Sequence, residues 1–231
     1  MKVIIFGASG MVGQGVLLEC LDSPDVDSVV VLGRSACGHH HEKLREIIHR
    51  DFFDYASLEE DLTGVDACFF CLGVSAAGMS ERKYSHLTHD LTLAAADILA
   101  RLNLQMTFCY VSGAGTDSSE KGRVMWARIK GATENRLLEM PFKAAFMFRP
   151  GYIQPLKGIR SKTRIYQTLY SVLSPLYPVL RSLFPRQVTT TEKVGLAMIQ
   201  VARNGYPKSL IDPGDINDLA ESYSPASTRS L

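Results

Sequence analysis

The sequence carries almost no net charge and no long apolar run. Its 25 Lys and Arg residues balance 24 Asp and Glu residues, and it has no basic stripe with interleaved aromatic side chains, which argues against nucleic-acid binding. No uninterrupted apolar run reaches membrane-spanning length, and Lys2 leads into a strand pattern rather than the apolar region of a signal peptide. These absences predict a soluble, cytoplasmic protein with no transmembrane segment and no nucleic-acid partner.

Cysteine is scarce, and its pattern does not favour redox or metal chemistry. The five cysteines are odd in number, and Cys68 and Cys71 form a CxxC inside an apolar strand pattern rather than at an exposed helix start. We expect them to be small buried hydrophobic residues. The histidine run from His39 to His41 follows a glycine in a predicted loop, with no second cluster at metal-ligand spacing. The sequence therefore predicts no metal site.

What the chain does contain is an alternation of short apolar strand patterns with longer helix patterns. With 231 residues and 46% hydrophobic content, it can bury one sizeable core. In chain order, the assigned elements are a strand at Val3 to Phe6, a helix at Gln14 to Leu21, a strand at Val29 to Leu32, a helix from Glu42, a strand at Ala67 to Leu72, a helix at Leu87 to Leu102, a strand at Met106 to Val111 and a helix at Met125 to Leu138. Near-continuous apolar strands separated by helices indicate an α/β fold with a doubly wound parallel sheet, which binds ligands outside the carboxyl ends of its strands.

The first strand runs into a glycine-rich turn with a dinucleotide-binding pattern. Gly7 permits the tight turn, Gly10 lets the backbone approach a pyrophosphate, and Gly13 allows close packing of helix on strand. The amides at the start of the following helix point at the phosphates. The pattern predicts a Rossmann fold. The predicted phosphate loop consists of Gly7, Ser9, Gly10, Met11, Val12 and Gly13.

The end of the second strand favours NADP(H) over NAD(H). An NAD-selecting site usually has an acidic residue here for the ribose 2′-hydroxyl, but this chain has Arg34 and Ser35. A guanidinium suits a 2′-phosphate, and the serine adds a hydroxyl donor. Further along, Asp51 and Phe52 follow the third strand, where we expect a carboxylate contact and an apolar face for adenine.

An ordered series of motifs extends over most of the chain. They are Gly7 to Gly13, Leu32 to Ser35, Asp51 with Phe52, Cys71-Leu72-Gly73, Val111-Ser112-Gly113, Lys130-Gly131 with Glu134, and Arg149-Pro150-Gly151. Together they resemble the atypical short-chain dehydrogenase/reductase family, and most closely its Tat-interactive-protein-like branch of small NADP-binding proteins.

The resemblance implies a cofactor that lies across the sheet, with Cys71 among the residues that bind it. Leu72 and Gly73 would lie beside the adenosine ribose. Ser112 would lie near the nicotinamide and Lys130 on its ribose. The nicotinamide carboxamide side would face the segment Pro150, Gly151, Tyr152 and Ile153.

The family's catalytic arrangement is a Tyr four residues before a Lys on one helix, with a Ser from the preceding strand end. The resemblance makes Ser112 and Lys130 the catalytic candidates, but Trp126 stands at the tyrosine position. An indole N–H has no acidic proton to exchange near neutral pH. Tyr152 and Tyr84 are the phenols nearest the expected site, and each is a candidate for a substitute proton donor.

The sequence is consistent with three functions. The first is an NADP(H)-dependent oxidoreductase acting on a small lipophilic carbonyl or alcohol. The second is a non-catalytic NADP(H)-dependent sensor or scaffold. The third is a membrane-surface or partner-binding module that uses the apolar residues 166–184, where Pro175 and Pro178 interrupt any single helix. That segment could instead form a substrate lid or a homodimer face, and we favour the lid.

The chain is expected to form one domain with a small C-terminal lid region. We predict a Rossmann core at 1–157, the apolar lid or interaction segment at 158–188, the C-terminal completion of the fold at 189–220 and a flexible tail at 221–231. A Thr followed by Glu192 and by apolar residues at helical spacing predicts a capped helix after position 189. Leu210 and Ile211 predict a last short strand, and a terminal helix is expected after it, near Ile216 to Ala220.

Overall fold

The computed structural model describes residues 1–159 and 183–226. The strands are β1 (Lys2–Phe6), β2 (Ser28–Gly33), β3 (Leu44–Ile48), β4 (Ala67–Phe70), β5 (Thr107–Val111), β6 (Ala144–Phe148), β7 (Tyr152–Gln154), β8 (Val188–Thr190) and β9 (Leu210–Ile211). The helices are α1 (Met11–Asp22), α2 (Glu59–Leu62), α3 (Glu81–Ser85), α4 (Leu91–Leu102), α5 (Met125–Leu138), α6 (Thr191–Asn204) and α7 (Pro213–Ser222), with a 3₁₀ turn at Ala56–Leu58 and a π-helical turn at His86–Asp90.

Seven strands form a parallel sheet in the order β3-β2-β1-β4-β5-β6-β9. β1 pairs with β2 on one side and with β4 on the other, with Val3 opposite both Val29 and Ala67. The strand order therefore reverses beside β1, and such a switch point opens a crevice at the carboxyl ends of the strands. This arrangement confirms the doubly wound α/β fold. A separate two-stranded parallel sheet joins β7 and β8.

Both faces of the large sheet are buried, because side chains alternate along each strand. Val3 and Ile5 pack in a core cluster with α1, α6 and α7, whereas Ile4 and Phe6 pack in a second cluster with α4 and α5. The strands are therefore apolar on both sides, which explains why their sequence patterns read as continuous runs.

The helix predicted from Glu42 is wrong. Residues Leu44–Ile48 form the edge strand β3, which pairs in parallel with β2 and places Leu44 opposite Val29. Leu44, Ile47 and Ile48 have the i, i+3, i+4 spacing of a helix face, which misled the assignment. Backbone pairing with β2, a tertiary contact, overrides this local pattern.

The helix predicted at Leu87 to Leu102 begins earlier, at Glu81. It includes the π-helical turn, whose extra residue shifts the register between α3 and α4. Ser80 accepts a hydrogen bond from the backbone N–H of Lys83 and so caps the start of this longer helix.

The C-terminal part follows the predicted helix–strand–helix order. Thr190 caps α6 by accepting from the backbone N–H of Lys193 at 3.1 Å. Helix α7 continues to Ser222, past the expected boundary, because a capping box of Asp212 and Asp215 starts it at Pro213. Tyr223 then contacts the α1–β2 loop, where its hydroxyl donates to Asp25 at 2.9 Å. The rest of the expected tail, from residue 227, lies outside the described residues.

Most of the expected lid, dimer face or membrane anchor at 158–188 also lies outside the described residues, which omit 160–182. Within the described ranges, no helix is long and apolar enough to cross a membrane.

Candidate functional site

The glycine-rich turn between β1 and α1 has a shape that only glycine permits. Gly7 has a φ of +83°, and the backbone N–H of Gly10 donates to its carbonyl at 2.9 Å. A Cβ placed on Gly13 would lie 2.1 Å from that same carbonyl oxygen. The first turn of α1, with Met11 and Val12, thus sits directly against the end of β1. Gly10 is the N-cap and brings no side chain, so the helix N-terminus faces the crevice with its amides available to a phosphate.

Cys71 contributes backbone rather than sulfur to this turn. Its carbonyl carbon and oxygen would lie 2.8 and 2.9 Å from a Cβ on Gly7. Burial raises the pKa of the Cys71 thiol to about 12, so it is not a thiolate near neutral pH. Cys68 is fully buried in β4. In the part of the chain that the structure describes, no group of three or more His, Cys, Asp or Glu side chains is placed to hold a metal ion.

A cavity of about 470 Å³ lies beside this turn, at the carboxyl ends of β2, β3 and β4. It brings together five of the residues that the sequence assigned to the cofactor, and it adds others. Its lining consists of Arg34, Arg50, Asp51, Phe52, Phe53, Leu72, Gly73, Val74, Leu87 and Leu91. Ser35 is exposed next to Arg34 and does not line the cavity.

The aromatic face of this cavity comes mainly from Phe53 rather than Phe52. Phe52 is only 6% exposed and packs edge-on against Phe6 in the core. Phe53 is 42% exposed, and its ring stacks on His86 of the π-helical turn at 4.4 Å between centroids. Asp51 shapes the turn, because its Oδ1 accepts from the backbone N–H of Phe53 at 3.0 Å.

At the other end of the crevice, the Ser112 side chain is tied to a buried carboxylate. Ser112 follows β5, and its Oγ donates to Oε1 of Glu134 on α5 at 2.5 Å. Glu134 is completely buried. Arg149 binds both carboxylate oxygens of Glu134 through Nε, at 3.1 Å each, and its Nη2 also donates to Glu134 and to Ser118. The hydrogen bond from Arg149 to the Glu134 carboxylate raises the pKa of Arg149, so this guanidinium stays charged.

Lys130 lies one helical turn before Glu134 and points at the end of β5. Its Nζ donates to the carbonyl of Ser112 and, at 3.5 Å, to that of Val111. Burial of the ammonium lowers the pKa of Lys130 to about 8, an effect that the nearby Glu134 partly offsets.

Trp126 lies one turn of α5 before Lys130 and is half-buried. A Cβ on Gly115 would lie 3.6 Å from Cη2 of its indole, so the ring packs along the 113–116 loop. The two phenols considered as substitutes lie elsewhere. Tyr84 is only 2% exposed within the core, and the Tyr152 hydroxyl donates to Oε1 of Gln154 at 2.8 Å.

The segment after β6 is packed rather than open. Pro150 and Ile153 are buried, and a Cβ on Gly151 would lie 2.5 Å from the carbonyl oxygen of Gln187. Position 151 therefore requires glycine, because the backbone of Gln187, just before β8, leaves no room for a side chain.

Sequence reasoning gave no role to four residues that the fold brings into the site. Arg50 and Phe53 flank Asp51 and Phe52, which the sequence assigned to the cofactor. The positive charge of Arg50 and the aromatic ring of Phe53 are visible in the sequence and could have suggested their role. Glu134 and Arg149 stood within the motifs, but a buried ion pair between residues from α5 and β6 cannot be read from spacing alone.

Comparison with known proteins places this chain in a family. No family model matches it. It is 30% identical over 170 residues to "Protein fmp52, mitochondrial" of Emericella nidulans, an alignment that covers 71% of this chain and 70% of the relative. "Protein FMP52, mitochondrial" of Saccharomyces cerevisiae is 27% identical over 167 residues, with 71% and 69% covered. "Protein HTATIP2" of Rattus norvegicus is 27% identical over 155 residues, with 66% and 62% covered.

Solved structures show the same fold. A UDP-N-acetylglucosamine 4-epimerase from Methanobrevibacter ruminantium superposes with a TM-score of 0.67 at 15% identity, covering 91% of this chain and 75% of its own. The enzyme WbmF of Bordetella bronchiseptica, solved in complex with NAD⁺, gives a TM-score of 0.66 at 14% identity, with 95% and 76% covered.

These names correct one expectation. The sequence predicted a cytoplasmic protein, but the curated relatives from Emericella nidulans, Saccharomyces cerevisiae and Aspergillus oryzae are named mitochondrial, which contradicts that prediction. Amino-acid composition and the N-terminal sequence pattern contain too little information to determine the subcellular location.

The glycine turn at the switch point, the ordered motifs along the sheet edge and the identity to the fmp52 proteins lead to one assignment: the chain belongs to the atypical short-chain dehydrogenase/reductase family and has its NAD(P)-binding Rossmann fold.

Proposed function

We propose that this protein binds NADP(H), with the pyrophosphate on the Gly7–Gly13 turn and the adenosine in the 470 Å³ cavity. The observation that carries the proposal is the pairing of Arg34 and Arg50 in the lining of that cavity. Two guanidinium groups from neighbouring strand ends suit a 2′-phosphate, because each guanidinium can donate two parallel N–H hydrogen bonds to it. The exposed face of Phe53 and the apolar wall of Leu87 and Leu91 suit the adenine ring.

Removing the arginines should weaken NADPH binding selectively. Each of Arg34→Ala and Arg50→Ala should raise the Kd for NADPH about 10- to 100-fold, the value of one charge-assisted contact, and leave the Kd for NADH within about twofold. The measurement is quenching of Trp126 fluorescence. The chain has one tryptophan, and it lies on α5 one turn before Lys130, at the end of the crevice where the nicotinamide would bind.

Arg45→Ala is the matched control, because Arg45 lies on β3 but pairs with Asp61 away from the cavity. It should change neither affinity. Equal losses for NADH and NADPH in the Arg34 and Arg50 variants would contradict a 2′-phosphate contact and point to a general electrostatic effect.

We further propose that the bound cofactor acts as a ligand rather than as a reductant in tyrosine-dependent chemistry. The Ser112 hydroxyl donates to Glu134, Trp126 has no exchangeable acidic proton, and the Tyr84 ring is buried. A protein that binds NADP(H) only when folded is stabilised by it through mass action, which suffices for a sensor or scaffold. NADPH should therefore raise the Tm, while no member of a panel of lipophilic carbonyls consumes it.

One observation favours a second candidate, an NADP(H)-dependent oxidoreductase. Lys130 has a pKa lowered to about 8 at the nicotinamide end, so its ammonium is a usable proton donor near neutral pH. In this mechanism NADPH supplies hydride to a small lipophilic carbonyl when bound, and Lys130 donates the proton to the carbonyl oxygen.

This candidate predicts a specific pH dependence. Reduction requires protonated Lys130, so kcat/KM should be constant below pH 8 and fall about tenfold per pH unit above it. Lys130→Met should abolish turnover, and the exposed Lys143→Met should not. A rate that is undiminished at pH 10 would exclude Lys130 as the donor. Turnover that appears only in Trp126→Tyr would support the sensor instead.

A further inference from the structure

The π-helical turn at His86–Asp90 supplies part of the wall of the 470 Å³ cavity. Leu87 of this turn and Leu91, the first residue of α4, both belong to the cavity lining. Single π-helical turns are rare in proteins and occur frequently at functional sites. This turn therefore helps to shape the proposed cofactor site, which makes its other side chains relevant to that site.

The His86 imidazole stacks on the ring of Phe53. The two ring centroids are 4.4 Å apart, and the ring planes differ by only 5°. Phe53 is 42% exposed and belongs to the cavity lining, whereas His86 does not. The Phe53 ring thus lies between the imidazole and the cavity, with one face covered by His86 and the other left for a ligand.

Both rings of this stack are held in place by neighbouring carboxylates. Oδ2 of Asp90 accepts from Nδ1 of His86, one turn earlier, at 3.2 Å, and Oδ1 of Asp90 accepts from Nδ1 of His89 at 3.0 Å. Oδ1 of Asp51 accepts from the backbone N–H of Phe53 at 3.0 Å. The orientation of the Phe53 ring is therefore set before any ligand binds.

A ring that is already oriented favours a planar ligand. Binding to it loses less conformational entropy than binding to a ring that must first be ordered. Aromatic side chains stack on nucleobases whatever the hydrogen-bonding groups of the base, because every base has a π-face. His86 can thus strengthen the binding of a base through Phe53 without contacting the base itself.

We infer that His86 is a positioning residue for the adenine base: it holds the Phe53 ring as a platform on which the base stacks. This inference rests on the proposed NADP(H) binding and deepens it. It assigns to the stack a part of the affinity that NADPH and NADH share, because both contain adenine, whereas the proposed role of Arg34 and Arg50 concerns the 2′-phosphate alone.

The test is a double-mutant cycle of His86→Ala and Phe53→Leu, with the Kd values for NADPH and NADH measured by Trp126 fluorescence. His86→Ala should raise both Kd values about fivefold and leave their ratio unchanged. Phe53→Leu should raise both about 10- to 100-fold. In the Phe53→Leu background, His86→Ala should have no further effect, because the ring through which His86 acts is gone. His86→Phe keeps a planar ring and should restore wild-type affinity.

His89→Ala is the matched control. His89 lies on the same turn and binds the same Asp90 carboxylate, but the ring that stacks on Phe53 is that of His86. The control should change neither Kd. The side chain of His86 is 56% exposed, so His86→Ala should unfold near the wild-type Tm.

An equal loss of affinity from His86→Ala in the wild-type and Phe53→Leu backgrounds would overturn the inference, because the imidazole would then support the turn rather than the ring. Wild-type affinity in His86→Ala would overturn it as well. If Arg34→Ala weakens NADPH binding selectively while His86→Ala does not weaken it, this inference fails and the proposed function stands. A wild type that binds neither NADPH nor NADH would overturn both.

Discussion

Replacing Glu134 by alanine is expected to lower the free energy of unfolding by about 3–5 kcal/mol, the cost of removing one partner of a buried ion pair. Glu134 is completely buried and accepts hydrogen bonds from both Ser112 and Arg149. Without it the Arg149 guanidinium, whose side chain is only 15% exposed, keeps its charge and loses its counterion. The measurement is urea unfolding followed by circular dichroism.

Glu139→Ala is the control, one residue past the end of the same helix. Glu139 pairs with Arg136 in an exposed i, i+3 contact, which contributes no more than about 0.5 kcal/mol. Glu134→Gln, which keeps the shape and one acceptor oxygen, should fall between the two. If Glu134→Ala costs less than about 1 kcal/mol, the ion pair does not hold α5 against β5 and β6.

The same variant tests whether the Glu134 carboxylate orders the ends of β5 and β6. Glu134 on α5 joins Ser112 at the end of β5 to Arg149 at the end of β6, and Lys130 on the same helix binds the Ser112 carbonyl. Losing the carboxylate should therefore loosen Ser112 and Lys130, because Glu134 holds the Ser112 hydroxyl and Lys130 holds the Ser112 carbonyl. Hydrogen exchange at Ser112 and Gly113 should become faster in Glu134→Ala than the change in global stability explains.

The second large effect is expected at the glycine turn. Gly13→Ala should abolish detectable NADPH binding and lower stability by about 1–3 kcal/mol, since its Cβ would lie 2.1 Å from the Gly7 carbonyl oxygen and neither backbone segment can move aside without repacking. Thermal unfolding with and without NADPH measures both effects.

Gly10→Ala should weaken NADPH binding without destabilising the fold. Its Cβ meets only the Gly7 oxygen at 3.3 Å, so the fold should tolerate it. The added methyl group instead occupies the approach to the α1 N-terminus, and NADPH affinity should fall at least tenfold while the Tm of the free protein changes little. Wild-type affinity in Gly10→Ala would show that the pyrophosphate does not lie on this turn.

The two variants differ because the glycines have different physical tasks. Gly13 makes room for protein backbone, whereas a Cβ on Gly10 would meet only one protein atom and would instead crowd the proposed pyrophosphate site. The sequence motif contains both but does not distinguish them; the distances in the folded turn do.

The sequence was sufficient for elements whose pattern is set locally. β1, β4 and β5 are buried on both faces, so their apolar runs were unambiguous. The capped start of α6 at Thr190 could also be predicted from the sequence, because capping depends on residues that are only three positions apart. Edge strand β3 was missed, since none of its five residues is fully buried and its apolar spacing fits a helix as well.

By itself, then, the sequence determined the fold class, the position of the glycine turn and the residue types along the sheet edge, because these follow from short-range periodicity and backbone sterics. Only the tertiary structure decided that Arg50 joins Arg34 in the cavity lining, that Phe53 adds an exposed ring to the cavity beside the buried Phe52, and that Ser112 is held by Glu134. Each of these depends on the packing of segments far apart in the chain, and no local pattern specifies which buried polar groups will meet.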